Sequence, residues 1–513
     1  MARLPIVLSA ALACAVPAQQ FLHLAVAGPA AQRARLGPTN LGTMLASEEA
    51  AEILAGYTGS FAREVRALRG DDDALDREPR RWLDYAGTVH LVAWVEQKED
   101  ALHLARWSAA LIVEADQTSG LRKMAADIAS WKGRLERGME RSWRSMALGD
   151  TLIEDGRLLV VLAEDADRRA ATARARGFRP AALGPREALS LEIDLQAALG
   201  LLRDRGPERG LASALLGGGT EKAVLQIGAS GPRVRLELSL RFRTEDRGLA
   251  EGLFPIASGV PDMAYLIPPS AAASMVGRTD PSRLLEACVA GIAEVLDEDA
   301  GAVRDLLRDR CGCDPGTDLL AKVGDETLAI FFDSESAGRS LLDQVCLVLS
   351  LRDEKGLIEA AGEWMRRVGI LASVDDDGVL WAETEKFGGT HVAIGLGHLC
   401  IAFGPDAVSH LNDVLDAAFR GGQTRLLTEA PPEAPPGWNG QGTIDAERLL
   451  AGHLATALAV LPRHLGYLGE WASRDSIARE VGRWLPMLRR HRLNLAETLA
   501  GTTEESWCFL VLW

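Results

Sequence analysis

Cys311 and Cys313, with only Gly312 between them, are a pair of cysteines that suggests metal or redox chemistry. Cysteine thiolates hold zinc when further cysteines or histidines complete a tetrahedral set. No second ligand cluster accompanies this pair. His391 and His398 flank a predicted hairpin, where histidines are typical of the wet edge rather than of a metal site. The sequence therefore predicts no metal and no cofactor.

Motifs for covalent catalysis and for phosphate binding are also missing. Gly228-Ala-Ser-Gly231 lacks the Gly-x-Ser-x-Gly spacing of a nucleophile elbow. Gly217-Gly-Gly-Thr-Glu-Lys222 precedes a predicted strand, so no helix N-terminus follows it to receive a phosphate. The acidic run 375–377 does not follow the ligand order of a calcium loop and predicts a solvated loop tip. We assign no catalytic residue and predict that the protein is not an enzyme.

Six of the seven cysteines lie in the second half of the chain. Cys346 and Cys400 occupy apolar runs typical of strands, where a free cysteine behaves as a small hydrophobic residue. In an oxidising compartment, the predicted disulfide joins Cys288 to Cys311 or to Cys313, because these cysteines lie in neighbouring helical segments.

The twelve tryptophans are spread evenly along the chain, which favours core positions over a clustered platform for glycans. Trp507 and Trp513 belong to an apolar C-terminal strand with no visible partner strand after it. We therefore predict that these two side chains form an exposed contact surface.

The N-terminus has the three-part pattern of a secretory signal peptide. Arg3 supplies the positive charge, Leu4 to Val16 form the apolar run, and Ala18 is a small residue before the expected cut. A lipoprotein cut at Cys14 is the alternative. No later apolar run reaches the ~18 residues of a membrane span. The sequence predicts a secreted or periplasmic protein with no stable membrane insertion after the signal peptide is removed.

The composition and net charge of the chain indicate which classes of partner it can bind. Apolar residues make up 47% of the chain and charged residues 25%, the balance of a soluble globular protein. The 72 acidic and 56 basic side chains give a formal net charge of −16, which repels phosphate backbones. We predict no nucleic-acid binding, and a partner that is another protein or an envelope component.

An internal duplication is the most informative feature of the sequence. The segment 107–121 aligns with 343–357, each an apolar strand, a polar turn and a Gly-Leu pair that opens a helix. The segment 156–166 aligns with 397–407, each a hairpin turn, a strand and an aspartate before a helix. Further matched pairs are 89–95 with 327–333, 21–26 with 263–267, and 190–199 with 442–450, in which Asp194 and Asp445 coincide.

Short connections between the strands favour an α+β fold, made of duplicated antiparallel sheets with helices packed on one face. The expected organisation is A–B–A′–B′. Its parts are a signal peptide 1–18, α+β unit A 19–180, strand-helix-hairpin unit B 181–250, unit A′ 251–427, a proline-rich linker 428–437 and the partial repeat B′ 438–513.

This organisation resembles a broad group of uncharacterised exported bacterial proteins with tandem α+β units. The resemblance rests on paired residues in the two halves: Gly120-Leu121 and Gly356-Leu357, Asp165-Ala166 and Asp406-Ala407, Ile193-Asp194 and Ile444-Asp445. The group has no known activity, so the resemblance implies no catalytic residue.

Duplication without a cluster of reactive side chains favours a non-catalytic exported protein that acts as a scaffold or protein-binding module. The alternative is a carrier that holds a lipid or another apolar ligand in a groove between sheet and helices. A third hypothesis is a hydrolase whose catalytic groups come from distant parts of the chain.

Overall fold

A computed structural model describes the chain over seventeen stretches. They are residues 19–50, 87–96, 106–114, 120–122, 124–126, 148–163, 167–200, 219–242, 247–253, 255, 259–296, 298–332, 341–384, 389–420, 438–445, 495–502 and 506–512. The predicted signal peptide, the proline-rich linker and Trp513 lie outside these described residues. Contacts divide the chain into two compact units, Met1–Arg209 with Glu221–Leu238 and Gly210–Thr220 with Ser239–Trp513.

Strands make up most of the described regular structure. The first eight are β1 (Gln19–Ala27), β2 (Thr88–Glu96), β3 (Arg106–Glu114), β4 (Leu148–Glu154), β5 (Arg157–Leu162), β6 (Glu187–Asp194), β7 (Thr220–Ser230) and β8 (Arg233–Phe242). The others are β9 (Ala271–Arg278), β10 (Val323–Phe332), β11 (Val345–Leu351), β12 (Leu371–Val374), β13 (Leu380–Thr384), β14 (Thr390–Gly395), β15 (His398–Phe403), β16 (Trp438–Asp445), β17 (Leu495–Thr502) and β18 (Ser506–Leu512).

Nine α-helices begin and end within the described residues. They are α1 (Pro29–Leu36), α2 (Asn40–Leu45), α3 (Arg168–Gly177), α4 (Leu195–Gly200), α5 (Leu249–Leu253), α6 (Pro281–Leu296), α7 (Ala300–Cys311), α8 (Glu354–Val368) and α9 (Ala407–Arg420). Among the described residues, no helix combines the length and the apolar character needed to cross a membrane.

All described strand pairs are antiparallel. The first sheet has the order β4-β5-β3-β2-β1-β6-β7, and β8 follows β7 through a turn at Gly231. The second sheet has the order β14-β15-β11-β10-β9-β16-β17-β18, extended beside β14 by the hairpin of β12 and β13. These two antiparallel sheets with their helices confirm the α+β class.

Helices cover both faces of the second sheet, so the prediction of helices on one face is wrong. Helix α9 packs in a core with Leu328 and Val348, whereas α8 packs in a separate core with Leu349 and Leu399. Neighbouring residues of a strand point to opposite faces, so these cores lie on opposite sides of the sheet. The cause is visible in Val345–Leu351, which is apolar at nearly every position and therefore needs burial on both faces.

Two elements differ from the sequence prediction. Met263 to Ile267 do not form the opening strand of the second sheet, because Ala264–Leu266 is a 3₁₀ turn and the strand is β9. Met263 and Leu266, three residues apart, both enter the core from this turn. The strand at the C-terminus also has a partner, since β17 precedes it and pairs along its length. The segment Leu495–Thr502 is rich in small and polar residues, which hid its strand character.

Candidate functional site

The cysteines fall into an accessible group and a buried group. Cys288 is exposed on α6, Cys311 ends α7 and Cys313 follows it, and all three are free thiols in the structure. Cys346 and Cys400 are fully buried on neighbouring strands, which confirms their predicted burial. Burial raises the pKa of both thiols, that of Cys400 to about 12, so neither forms a thiolate at neutral pH. The disulfide from Cys288 to Cys311 or Cys313 stays a prediction.

Alkylation of the native protein with iodoacetamide is expected to separate these groups. Cys288 should react at least ~100-fold faster than Cys346 or Cys400, because the buried thiols react only when the sheet opens. Peptide mass spectrometry after a timed pulse measures each rate, and a digest without reductant shows whether Cys288 is linked to Cys311 or Cys313. Equal labelling of Cys346 and Cys288 in the native state would contradict the structure.

The other residues singled out in the sequence have mixed outcomes. Trp507 lies in β18 opposite Thr502, and its role in a contact surface with Trp513 stays a prediction. His398 is 8% exposed and its Nε2 lies 3.3 Å from the Tyr265 hydroxyl, so its predicted place at a wet edge is wrong. His391 is partly exposed, with its Nε2 3.8 Å from Glu383 on the next strand.

A cavity of about 310 Å³ lies in the second unit between α8 and the segment that follows α7. We call it the α8 cavity. Its polar lining consists of Cys313, Asp318, Lys322, Glu363, Trp364 and Arg367. Burial, followed by the neighbouring Cys311, raises the pKa of the Cys313 thiol. The cavity therefore presents fixed charges but disfavours the thiolate that nucleophilic chemistry needs.

A row of charged and imidazole side chains crosses one face of the first sheet. We call it the polar row; strand by strand it consists of Arg157, Glu114, His90, His23, Glu192 and Lys222. The strand register places all six on the same face, because directly opposed and diagonal residues share a face. The charges at its two ends are balanced, since Arg157 lies opposite Glu114 and Lys222 Nζ lies 2.5 Å from Glu192 Oε1.

The two imidazoles at the centre of the polar row touch each other. His23 Nε2 lies 3.2 Å from His90 Nδ1, and the rings stack with centroids 5.4 Å apart. His90 Nε2 faces the Glu114 carboxylate at 3.7 Å. That carboxylate favours the tautomer with the proton on Nε2, so His90 Nδ1 accepts a hydrogen bond from His23 Nε2.

Phe178, directly after α3, closes this part of the sheet. Its ring meets His23 edge-on at 5.3 Å, and its carbonyl oxygen accepts a hydrogen bond from Arg157 Nη1 at 3.0 Å. Burial is the main cause that lowers the pKa of both histidines; the proximity of His90 lowers that of His23 further, and Glu114 partly offsets the effect on His90. His90 is only 1% exposed, whereas His23 is half-buried, so His90 is not accessible to a substrate in the folded chain.

Asp194, the last residue of β6, caps the helix that follows it. Its Oδ1 accepts a hydrogen bond from the backbone nitrogen of Ala197 at 2.8 Å, at the start of α4. Its Oδ2 accepts a second bond from Gln19 Nε2 at 2.9 Å. Both oxygens are therefore used by the fold.

Replacing Asp194 with alanine is expected to destabilise the first unit by about 1 kcal/mol, because the backbone nitrogen it caps loses its partner. Asp194→Asn is the matched control, since an asparagine oxygen caps a helix nearly as well. Hydrogen exchange of peptides from β6 and α4 measures the change. An asparagine variant as unstable as Asp194→Ala would contradict the capping role.

No protein-family model, no curated protein and no solved structure matches this chain. The assignment of the site therefore depends on its own geometry.

Neither the polar row nor the α8 cavity was predicted from the sequence. His23 and His90 are far apart in the sequence and meet only through the register of β1 and β2. The cavity had a partial signal, because Glu363 and Arg367 are spaced one helical turn apart, as in an ion pair on one helix face.

Proposed function

We propose that the protein is a non-catalytic exported protein that acts as a scaffold or protein-binding module. The observation that carries this proposal is that several aspartate and histidine side chains that could act as acids or bases contact the fold itself instead. Asp194 caps a helix, and His90 is buried, with its ring stacked on that of His23. Asp375 closes the turn between β12 and β13, where it accepts bonds from the Val379 nitrogen at 2.9 Å and from Trp381 Nε1 at 2.8 Å.

We further propose the A–B–A′–B′ duplication, which the strand registers support. Ala25 pairs with Ser190 in the first sheet. Moving both residues along the chain by the distance from Asp194 to Asp445 gives Val276 and Gln441, which pair with each other in the second sheet. Ile112 and Leu159 likewise pair in the first sheet. The alignments of 107–121 with 343–357 and of 156–166 with 397–407 place these two residues on Val348 and Cys400, which pair in the second sheet. The offsets of Ser190, Ile112 and Leu159 come from alignments made without the structure, and the pairings agree with them as a duplicated unit requires. The match of β1 to β9 comes from the strand pairing instead, because the sequence aligned 21–26 with 263–267.

A carrier of apolar ligands gains no support from the α8 cavity. Four charged side chains line it, and an apolar ligand would have to strip water from these charges without replacing it.

Reconstitution of a complex tests the scaffold proposal. The full chain, isolated from the envelope of an exporting host after reversible cross-linking, should yield a partner that reassociates from purified components at fixed stoichiometry. Light scattering measures the mass of the complex. We expect Trp507→Ala to weaken the complex and Phe419→Ala, at the exposed end of α9, to leave it intact. A chain that remains monomeric with every envelope fraction would contradict the proposal.

Export is tested by the N-terminus of the mature chain. We expect it to begin at Gln19 after expression in an exporting host, as shown by intact-protein mass and N-terminal sequencing. A lipid-modified Cys14 would establish the lipoprotein alternative, and an uncut chain would contradict export.

A further inference from the structure

The α8 cavity is built on a helix face that lies beside the buried stripe of α8. Ala360, Glu363, Trp364 and Arg367 follow the three- and four-residue spacing of one helical face and line the cavity. The buried stripe of the same helix is formed by Leu357, Ala361 and Met365, and Trp364 also packs against this core. The cavity-lining face therefore joins two charged residues to a tryptophan that the core holds in place.

The opposite wall is a short segment whose shape is fixed by hydrogen bonds. Arg367 Nη1 donates to the Gly312 carbonyl oxygen at 2.6 Å, which ties the segment to α8. Asp314 Oδ1 accepts a bond from the Gly316 nitrogen at 3.0 Å, and its Oδ2 accepts one from Arg308 Nη2, also at 3.0 Å. A wall held in this way is preorganised, so a ligand does not have to order it.

Three of the four charged side chains that line the cavity have partners in the fold, and the fourth has none in the part of the chain that the structure describes. Arg367 is paired with Glu363, and Asp318 accepts a bond from the Asp314 nitrogen at 2.9 Å. Lys322 is half-buried, and its ammonium group makes no ion pair with any described residue. Its backbone is anchored, because its carbonyl oxygen accepts a bond from the Arg352 nitrogen at 2.8 Å. The main chain that carries Lys322 is thus fixed at the cavity, and its ammonium group, unpaired among the described residues, is the charge that a ligand carboxylate would satisfy.

We propose that the α8 cavity binds a small zwitterion of the α-amino acid class. Lys322 receives the carboxylate, Asp318 and Glu363 attract the ammonium group, and Trp364 offers an apolar surface to the side chain. The equal number of positive and negative side chains disfavours a dianion such as phosphate, which would face two carboxylates. The volume, at the lower end of the ~300–1,000 Å³ typical of ligand pockets, suits a molecule of this size.

Calorimetric titration of the full chain with glycine, L-alanine, L-serine, L-lysine, L-aspartate and L-phenylalanine tests the proposal. We expect saturable binding of at least one of them. Acetate has only the carboxylate of an amino acid, and methylammonium has only the ammonium group. Neither should show saturable binding in the same concentration range. Lys322→Met should weaken the binding at least about tenfold, because a buried charged contact is lost.

Lys355→Met is the matched control, since it removes the same charge from an exposed position on α8 outside the cavity. It should bind like the original chain, and circular dichroism verifies that both variants fold. Bound amino acid should also slow alkylation of Cys313 but leave that of Cys288 unchanged. Binding of none of the six amino acids, acetate binding that equals theirs, or equal effects of the two lysine variants would overturn the proposal.

Discussion

Replacing Phe332 with alanine is expected to lower the free energy of unfolding of the second unit by about 3–5 kcal/mol. Phe332 ends β10, is 2% exposed and stacks on His410 of α9, with ring centroids 4.0 Å apart and planes within 7°. Truncation removes this stacking and leaves a cavity between the sheet and α9 that a close-packed core fills only in part.

Phe419→Ala provides the matched control. It makes the same chemical change on α9, but Phe419 is 61% exposed, so we expect a loss within about 0.5 kcal/mol. Hydrogen exchange against urea concentration, followed on peptides of β10 and β11, reports on this unit alone. Similar losses in the two variants would mean that Phe332 is not part of the core.

Acidification is expected to destabilise the first unit through the polar row. The pKa of His23 and of His90 is lowered in the folded chain from the ordinary value of 6.5, so below pH 6.5 the unfolded chain binds more protons than the folded one. Stability present above pH 6.5 is therefore lost as the pH falls. Each imidazole contributes at most about 1.4 kcal/mol per pH unit to this slope.

The charged groups around the pair set the size of this effect. Glu114 and Glu192 favour protonation, whereas Arg157 opposes it at His90. Lys222 neutralises Glu192, and Arg174 of α3 reaches the same face through Ser108. Because the two rings are in contact, protonation of one disfavours protonation of the other.

Urea unfolding at pH 7.5 and at pH 5 measures the loss, followed by hydrogen exchange of peptides from β1 and β2. The double variant H23Q/H90Q, which keeps hydrogen-bonding side chains but cannot titrate, should show a clearly smaller difference between the two pH values. His391→Gln, on a partly exposed histidine of the second sheet, should show the full loss. Equal slopes for H23Q/H90Q and the original chain would contradict this role of the polar row.

The sequence predicted best where a local signal determines structure. The hairpin turns at Gly156 and Gly397 were identified from a glycine between two strand-like runs, and both glycines adopt positive φ, 72° and 80°. Cys346 and Cys400 were placed in buried strands from their apolar neighbours alone. These features depend on a few adjacent residues, so the chain order carries them directly.

It failed where local composition gives a wrong or weak signal. Met263 to Ile267 are as apolar as a strand, but prolines at 261 and 268 flank the run and it closes as a turn, with the Leu266 nitrogen bonded to the Met263 oxygen at 3.0 Å. Conversely, β17 mixes two threonines with alanine, glycine and glutamate, which weaken its strand signal, and it pairs with a strand on each side.

The polar row shows a different limit, since its residues become neighbours only through register. If the two sheets are duplicates, the positions of His23, His90 and Glu114 are occupied in the second sheet by Ser274, Leu328 and Ser350. The same arrangement of strands would then hold charged side chains in one sheet and neutral ones in the other. Alignment of the two halves of the sequence indicates this arrangement, but only the pairing of the strands shows that the charged residues are neighbours.

Turnover by the purified full chain on panels of ester, phosphoester, peptide and glycoside substrates is the decisive test of a non-catalytic function. We expect rates equal to those of the buffer blank, and no difference between the original chain and the variants Cys313→Ser and Lys322→Met. Turnover that co-elutes with the chain and falls at least about tenfold in either variant would show that the α8 cavity is an active site, and would contradict a non-catalytic function.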